Sequence, residues 1–409
     1  MRGRTGTAVL PLHWGNVPAW LGARMASLGR VITEAIVLHY GRDEYLRRLA
    51  HPYWFQSFGA VMGMDWHSSG ITTSVLSALK RGLAPVEWEL GVHVCGGRGQ
   101  RSRQTPAELL AVGDRVGLDG AALGEASRLV AKVDSAAVQD GYDIYLHGFV
   151  VADDGKWAVI QQGMNTERRE ARRYHWLAEG LTSFVDDPHK AIDGLPSAGQ
   201  IINLTDRRAE PARAAQVALV HEGPDVVLHT LARQESATRP ALVDETLELP
   251  FHHDVRVENV SARRLRSALI AAHERGPVDF ADLLLTPGVG ARTVFSLALV
   301  AEVVHGAPAR FSDPARYSLA HGGKDGHPYP VPRRVYDETI RVMKDAVSRA
   351  KIGQSDRLAA IQRLDAEARR LERTTDDNDE SGIDVQSFIA GERSRSAKWG
   401  GMTTRGPVG

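Results

Sequence analysis

The chain has 409 residues, of which 43% are hydrophobic and 24% charged, a balance typical of a globular protein with two or three domain cores. Lysine plus arginine equals aspartate plus glutamate at 50 each, so any affinity for nucleic acid must come from local basic patches rather than a global positive field. A single cysteine, Cys95, excludes an internal disulfide and a zinc site built on several cysteines. The sequence has neither an apolar run long enough for a membrane span nor the apolar core of a signal peptide, so we expect a cytoplasmic protein with no membrane partner.

The N-terminal part of the sequence has the pattern of an α/β unit. Apolar residues at helical spacing predict a first helix, and they are Leu21, Met25, Leu28, Ile32 and Ile36. A short apolar strand is predicted at 57–64, a helix at 72–83 and another strand at 88–95. A strand, a glycine-containing loop, a helix and a strand in this order are typical of an α/β fold.

The central part of the sequence predicts a helix, a β-hairpin and a second helix. The first helix spans about 121–139. Strands at 142–151 and 156–162 are joined by an Asp-Asp-Gly turn at 153–155, which favours a tight hairpin. A basic helix is predicted at 166–179.

The strongest local motif is the run DLLLTPGVGART at 282–293. Pro287 ends one helix, and Gly288 and Gly290 allow a tight backbone turn in which Val289 can point into the core. The turn then begins a second helix, whose unpaired N–H groups form an anion site. A DNA phosphate is the natural ligand for such a turn.

This run resembles the helix-hairpin-helix family, whose Leu-x-x-Pro-Gly-Val-Gly-x-x-Thr pattern it matches over about 280–306. The resemblance implies phosphate contacts, made without regard to base sequence, at Gly288, Val289, Gly290, Arg292 and Thr293. In base-excision glycosylases of that superfamily a catalytic lysine takes the place of Arg292, and an aspartate follows the next helix, roughly where Asp313 lies. Because a guanidinium group stays protonated, the arginine argues against a lyase. A turn that only packs two helices together is the alternative.

Three further segments carry basic residues suited to nucleic-acid contacts. These are Arg98, Arg101 and Arg103 in a glycine-rich loop at 96–103, Arg172 and Arg173 beside Tyr174, His175 and Trp176, and Lys324 in a second glycine-rich loop at 321–327. For the first segment the alternative is a solvated surface loop. For the arginine pair the alternative is an amphipathic helix with buried aromatic residues.

The segment 132–165 holds most of the candidate catalytic residues. Asp134 and Asp140 lie at the end of the predicted helix, and the two-residue period of the following strand places Asp143 and His147 on one face. A helix, an acid-bearing strand, a hairpin and a polar strand follow one another in many nucleases that bind Mg²⁺. We therefore predict Asp140 and Asp143 as ligands of Mg²⁺ or Mn²⁺, because carboxylate oxygens bind these ions and the metal activates water.

Gln161 on the second strand departs from the nuclease pattern. A restriction-type nuclease carries Glu-x-Lys there, and an amide can orient water but cannot act as a general base. Buried polar residues that satisfy one another beside a hairpin are the alternative to an active site. Asp65 and His67, at the end of the first predicted strand, form a rival catalytic centre, although an Asp in this position is also often a helix cap.

Taken whole, the chain resembles the bacterial and archaeal family known as domain of unknown function 763. The matching segments are Asp65-Trp66-His67-Ser68-Ser69-Gly70, Gln139-Asp140-Gly141-Tyr142, Val159-Ile160-Gln161-Gln162-Gly163-Met164-Asn165 and Ala320-His321-Gly322-Gly323-Lys324-Asp325-Gly326. The resemblance extends from near Pro11 to near Leu364, and it implies no established activity.

These patterns predict an α/β fold class with three parts. Residues 1–205 form an α/β candidate catalytic domain with the β-hairpin at its centre, 206–373 a helical DNA-binding domain with the helix-hairpin-helix at about 278–306, and 374–409 a disordered, charge-rich tail. The predicted function is binding of DNA, or of RNA, with metal-dependent hydrolysis of phosphodiester bonds in DNA repair or processing. The alternatives are a non-catalytic helix-hairpin-helix DNA-binding protein and a monofunctional DNA glycosylase.

Overall fold

The computed structural model describes residues 17–64, 69–195, 201–237 and 262–315, together with single positions between 341 and 348. All of them belong to the first of two compact units, Met1–Arg363. The second unit, Leu364–Gly409, lies outside the described residues, as does the predicted disordered tail. Within the described residues, no helix combines the length and the apolar character that crossing a bilayer requires.

Helices and two antiparallel sheets make up the described chain, which confirms a mixed helix-and-sheet class. The helices are α1 (Ala19–Leu49), α2 (Pro52–Val61), α3 (Gly70–Leu83), α4 (Glu87–Leu90), α5 (Gln100–Val116), α6 (Gly120–Lys132), α7 (Glu210–Glu222), α8 (Pro224–Ala237), α9 (Ala262–Arg275), α10 (Phe280–Leu285) and α11 (Ala291–His305). The strands are β1 (Val92–Arg98), β2 (Val138–Gln139), β3 (Asp143–Ala152), β4 (Trp157–Asn165), β5 (Glu170–Leu177), β6 (Ala191–Asp193), β7 (Ile201–Asn203) and β8 (Arg310–Phe311).

The main sheet has the strand order β1-β3-β4-β5-β6, and helices cover both of its faces. Helices α1 and α3 pack on one face together with α2, while α5 and α6 pack on the other. The predicted hairpin is confirmed, because β3 and β4 pair from Asp143 opposite Met164 to Val151 opposite Trp157. Burial on both faces explains why these two strands carry few charged residues.

A smaller sheet, β2-β7-β8, joins the central segment to the C-terminal helices. Its first strand follows one π-helical turn, Val133–Ala137, which replaces the end of the helix predicted at 121–139. One apolar core extends from Phe149 of the main sheet to Leu297 of α11. The two sides of the domain boundary predicted at 205–206 therefore share buried apolar contacts.

The strand predicted at 57–64 is wrong, because most of this run lies in α2. His51 caps the helix by accepting a hydrogen bond from the amide of Trp54 at 3.4 Å, and Pro52 occupies the first turn. Nearly every residue of α2 is buried, so the run is apolar on all sides. Periodicity alone cannot separate a buried helix from a buried strand in so short a run.

The basic helix predicted at 166–179 is also wrong, because its centre is β5. Every residue from Ala171 to Leu177 is buried. Arg172 faces Asp140 on the α6 side of the sheet, whereas Arg173 faces Thr72 of α3 on the other side. Since both faces of this strand carry polar side chains, the two-residue alternation of polar and apolar residues is lost from the sequence.

The flexible loop predicted at 96–103 is instead the end of β1 and the first turn of α5. Gly96 has φ +86°, and a Cβ at this position would collide with the carbonyl oxygen of His147 on the neighbouring strand. Glu108 of α5 accepts a hydrogen bond from the amide of Gly96 at 2.6 Å and pairs with Lys80 at 2.7 Å. These contacts fix the junction between β1 and α5.

The capping role of His51 predicts how stability depends on pH. Burial, with the nearby charges of Lys190 and Arg48, lowers the pKa of His51 from 6.5 to about 4. The unfolded chain therefore binds the proton first, and the contribution of His51 to stability is present above pH 6.5 and lost as the pH falls towards 4. His51→Asn keeps a capping acceptor that does not titrate, so we expect unchanged stability at neutral pH and a smaller loss, by on the order of 1–3 kcal/mol, on acidification.

Urea unfolding of both proteins at neutral and at acidic pH measures this difference. An equal loss of unfolding free energy in the two proteins on acidification would show that His51 is not the group that titrates.

Candidate functional site

Helices α10 and α11 are joined by a tight turn at 286–290. Asp279 caps α10 by accepting from the amide of Asp282 at 2.8 Å. Gly288 is exposed and has φ +85°, a backbone conformation that favours glycine. The next residue, Val289, is only 1% exposed and packs into the core. The turn is thus anchored by a buried valine between two glycines.

The N-terminus of α11 is open at this turn. Gly290 occupies the cap position before Ala291 and offers no side chain to cap the helix. The amides of the first turn, from Ala291 to Thr293, therefore lack an intrahelical acceptor. The side chain of Arg292 is exposed beside them, whereas the side chain of Thr293 is buried. Of the residues predicted to contact phosphate, Val289 and Thr293 support the turn from within, and Gly288 and Arg292 lie at its surface.

The turn is attached to the central segment of the chain through its carbonyl groups. The ammonium group of Lys132, whose pKa is lowered by burial, donates to the carbonyl oxygen of Val289. Gln139 donates through Nε2 to the carbonyl oxygen of Ala291 at 3.0 Å. The segment between Lys132 and Gln139 therefore holds the C-terminal end of the turn, where α11 begins.

Helix α9 adds positive charge beside the turn. An ideal Cβ built on Gly288 would lie 3.7 Å from Ala268, so α9 passes directly behind the turn. Arg264 lies one helical turn before Ala268, and Arg263 precedes it. Both arginines are exposed and make no ion pair with a described residue. Sequence reasoning missed them because they belong to no motif and lie more than a dozen residues from the turn.

A buried polar network surrounds Asp134, which is completely buried behind β4 and β5. Its carboxylate accepts hydrogen bonds from the Gln161 amide, from Nε1 of Trp176 at 2.9 Å and from Nε2 of His189 at 2.5 Å. Gln161 in turn contacts Nδ1 of His147 at 2.8 Å. Burial lowers the pKa of His147, so this imidazole is neutral and acts as a hydrogen-bonding partner within the network.

A second buried cluster is centred on Arg172. Its guanidinium group donates to Asp140 at 2.7 Å and, through both terminal nitrogens, to the two oxygens of Asp313 at 3.0 and 2.8 Å. Burial alone would lower the pKa of Arg172, but the two carboxylates raise it well above its ordinary value. Tyr174 also donates to Asp140, at 2.6 Å. One buried cation is thus shared by two buried anions.

The two clusters meet at a cavity of about 270 Å³. Polar side chains on its wall are Asp187, His189, Asn203, Thr205, Asp206, Arg207, Ser312 and Asp313. His189 joins the wall to Asp134, and Asp313 joins it to Arg172. Sequence reasoning placed Asp313 only by the glycosylase resemblance and missed His189. A histidine that follows Asp186, Asp187 and Pro188 was the available signal, but its pairing with Asp134 exists only in the fold.

Asp143 and His147 do not share a face of the sheet, contrary to the prediction. A β-bulge at Tyr145 inserts an extra residue into β3. As a result Asp143 lies opposite Met164 while His147 lies opposite Gln161, three positions away on β4. An odd spacing on a regular strand places the two side chains on opposite faces.

The structure does not bring Asp140 and Asp143 together as a pair of metal ligands. The carboxylate of Asp140 is buried and bound by Arg172 and Tyr174, whereas Asp143 is exposed on β3. In the part of the chain that the structure describes, no group of three His, Cys, Asp or Glu residues is arranged to hold a metal ion. Binding of Mg²⁺ or Mn²⁺ stays a prediction without a located site.

The remaining predicted residues fall into three groups. Arg173 is buried on the other face of β5, where it donates to Thr72 and Gln56 at 2.9 Å each, and so cannot contact nucleic acid. Three arginines are exposed where β1 meets α5, and they are Arg98, Arg101 and Arg103. Asp65, His67 and Lys324 lie outside the described residues.

Removal of Arg172 tests the buried ion cluster. Arg172→Leu would leave Asp140 and Asp313 buried without a counter-charge, and we expect it to lower the free energy of unfolding by about 3–5 kcal/mol. The exposed Arg168 provides the matched control, since Arg168→Leu should change stability by less than about 0.5 kcal/mol. Urea unfolding followed by circular dichroism gives both values. Equal stability of the two variants would contradict the role of Arg172 as the counter-charge of Asp140 and Asp313.

Comparison with known proteins adds one match. The model of the family described as protein of unknown function (DUF763) matches residues 6–331, which is well over half of the chain. No curated protein and no solved structure matches this chain. The match covers both polar clusters and the turn between α10 and α11. The chain therefore belongs to the DUF763 family.

Proposed function

We propose that this protein binds DNA through the turn between α10 and α11. The observation that carries the proposal is the open N-terminus of α11, where an exposed glycine turn leads into an uncapped helix beside Arg292. Unpaired amides and the helix dipole both favour an anion at this position. A backbone phosphate fits these amides without any contact to a base.

The charge around the turn supports the same proposal. Arg263 and Arg264 of α9 lie on the surface behind Gly288, so they extend the positive surface beyond Arg292. A chain with zero net charge needs such a local patch in order to attract DNA. We infer that α9 to α11 form the DNA-binding part, with the helix-hairpin-helix arrangement that the sequence resembles. RNA would offer the same phosphates and is the alternative ligand.

A chemical activity beyond binding has two candidates. Metal-dependent hydrolysis of phosphodiesters stays a prediction, for which the described residues offer no assembled set of ligands. Hydrolysis of a glycosidic bond by a monofunctional glycosylase is the second candidate. It is favoured by the cavity wall, which carries a carboxylate at Asp313 and an imidazole at His189. A non-catalytic DNA-binding protein is the remaining alternative.

A substitution at Gly290 separates anion binding from stability. The residue has extended backbone angles and open space around its Cβ position, so a side chain fits there. Gly290→Asp would cap α11 and keep or raise the melting temperature, but its carboxylate would occupy the place of the phosphate. We expect DNA affinity to fall at least about tenfold, which corresponds to a loss of about 1.4 kcal/mol of binding free energy. Gly290→Asn is the uncharged control, with a smaller loss.

Fluorescence anisotropy with labelled duplex and single-stranded DNA at two salt concentrations measures these affinities. Wild-type affinity in a folded Gly290→Asp variant would contradict the proposal. Gly288 is unsuited to this test because its positive φ makes any substitution strained.

Arg292 provides a separate prediction. If its guanidinium group contacts one phosphate, Arg292→Ala should weaken binding to all sequences alike. It should also reduce the slope of log affinity against log salt by about one unit. Arg168→Ala, at an exposed arginine on the β4–β5 connection, is the control and should leave the slope unchanged. Equal slopes for the wild type and the Arg292→Ala variant would place Arg292 outside the interface.

A further inference from the structure

The imidazole of His189 connects a buried carboxylate to a cavity. Its Nε2 lies 2.5 Å from Asp134, and its ring packs against that of Trp176 at a tilt of 58°, with a centroid distance of 4.5 Å. Nδ1 makes no hydrogen bond to a described residue, and the residue lines the cavity. Because Asp134 also accepts from the indole N–H of Trp176, which can only donate, it is placed to accept from Nε2–H as well. Nδ1 then presents a lone pair.

We propose that His189, oriented by Asp134, is the proton acceptor of this cavity, where it activates water against the glycosidic bond of a nucleotide in bound DNA. The inference rests on the glycosylase candidate. Nδ1 takes one proton from water, and the water oxygen forms a bond to the sugar C1′ while the bond from C1′ to the base nitrogen breaks. The base leaves with the electron pair of that bond, and the proton held by His189 passes through solvent to the departing base.

The charge around the cavity favours this bond over a phosphodiester. The carboxylates on the wall or one contact behind it are Asp134, Asp140, Asp187, Asp206 and Asp313, and the guanidinium groups are Arg172, Arg207, Arg208 and Arg213. The carboxylates outnumber the guanidinium groups, and this excess of negative charge repels a phosphate. Hydrolysis of a glycosidic bond passes through a sugar that carries positive charge, and a negative wall stabilises such a transition state.

Asp134 and Arg172 are positioning residues in this arrangement. Asp134 fixes the tautomer and the orientation of the imidazole, as a buried carboxylate does for histidine in hydrolytic triads. Arg172 holds the Asp313 carboxylate on the wall through two hydrogen bonds. Both act through the group that they hold and lie behind the cavity surface.

The segment that carries Asp134 contacts both the cavity and the proposed DNA-binding turn. Lys132 contacts Val289, Asp134 contacts His189, and Gln139 contacts Ala291. A stretch of eight residues from Lys132 to Gln139 thus contacts both sites. DNA held at the turn would be positioned relative to His189 by this stretch.

Duplexes with one altered nucleotide test the proposal even though the base that the protein would release is not identified. One duplex carries a pyrrolidine nucleotide, whose ring ammonium imitates the positively charged sugar, and the other carries a neutral tetrahydrofuran nucleotide. We expect the wild type to bind the pyrrolidine duplex at least about tenfold more tightly, which corresponds to 1.4 kcal/mol. Asp134→Asn and His189→Gln should reduce this ratio. The control is His93→Gln, which breaks a part-buried His–Asp pair on β1, at the other edge of the sheet, and should keep the ratio.

Each outcome decides between the proposals. Equal binding of both duplexes by the wild type would overturn the cavity inference while leaving the DNA-binding turn intact. An undiminished ratio in a folded His189→Gln variant would also overturn it. If the wild type binds neither duplex, the proposed DNA binding itself is contradicted. Because the first comparison uses only the wild type, it stands even if a variant fails to fold.

Discussion

The buried charge of Arg172 is the constraint on which the centre of this protein depends. A fully buried guanidinium group is costly unless its donors are satisfied, and here Asp140, Asp313 and the carbonyl oxygen of Leu195 satisfy the donors of the two terminal nitrogens. These partners come from the β2–β3 connection, the segment after β8 and the segment after β6. One cation therefore fixes three parts of the chain that are distant in sequence, and it shapes the cavity wall through Asp313.

Strand β5 distributes such charges to both sides of the sheet. Arg172 points to the cavity side, and Arg173 points to α2 and α3, where Gln56 and Thr72 accept its hydrogen bonds. Asp193 on β6 lies 3.6 Å from Arg173, and burial raises the pKa of this carboxyl to about 6. Helices α2 and α3 are thus held to the sheet by directional polar contacts as well as by apolar packing. Such contacts fix which side chains face each other, since a displaced charge would lose its partners.

The segment between α6 and β3 links these buried charges to the surface. It passes from helix through one π-helical turn into a short strand, so its side chains point in several directions within a few residues. Asp134 reaches the sheet, and Gln139 reaches the start of α11. The helix predicted over 121–139 therefore ends at Lys132, and its last two residues instead pair with β7. The same stretch contacts both the turn and the cavity wall.

The sequence by itself determined the elements whose signals are local. The spacing of apolar residues predicted α1 and α3, the Asp-Asp-Gly turn predicted the β3–β4 hairpin, and the Pro-Gly-Val-Gly run predicted a tight turn between two helices. In these cases the backbone geometry follows from a few adjacent residues. Resemblance over most of the chain also identified the family.

Only the tertiary structure decided the rest, because the deciding contacts are between distant residues. The apolar run of α2 and the polar run of β5 each lack the contrast between faces from which helix and strand are distinguished. The bulge at Tyr145 reversed the side to which Asp143 points, and a single extra residue in a strand is invisible to a two-residue period. The pairing of His189 with Asp134 spans 55 positions, so it arises from the sheet and not from any motif.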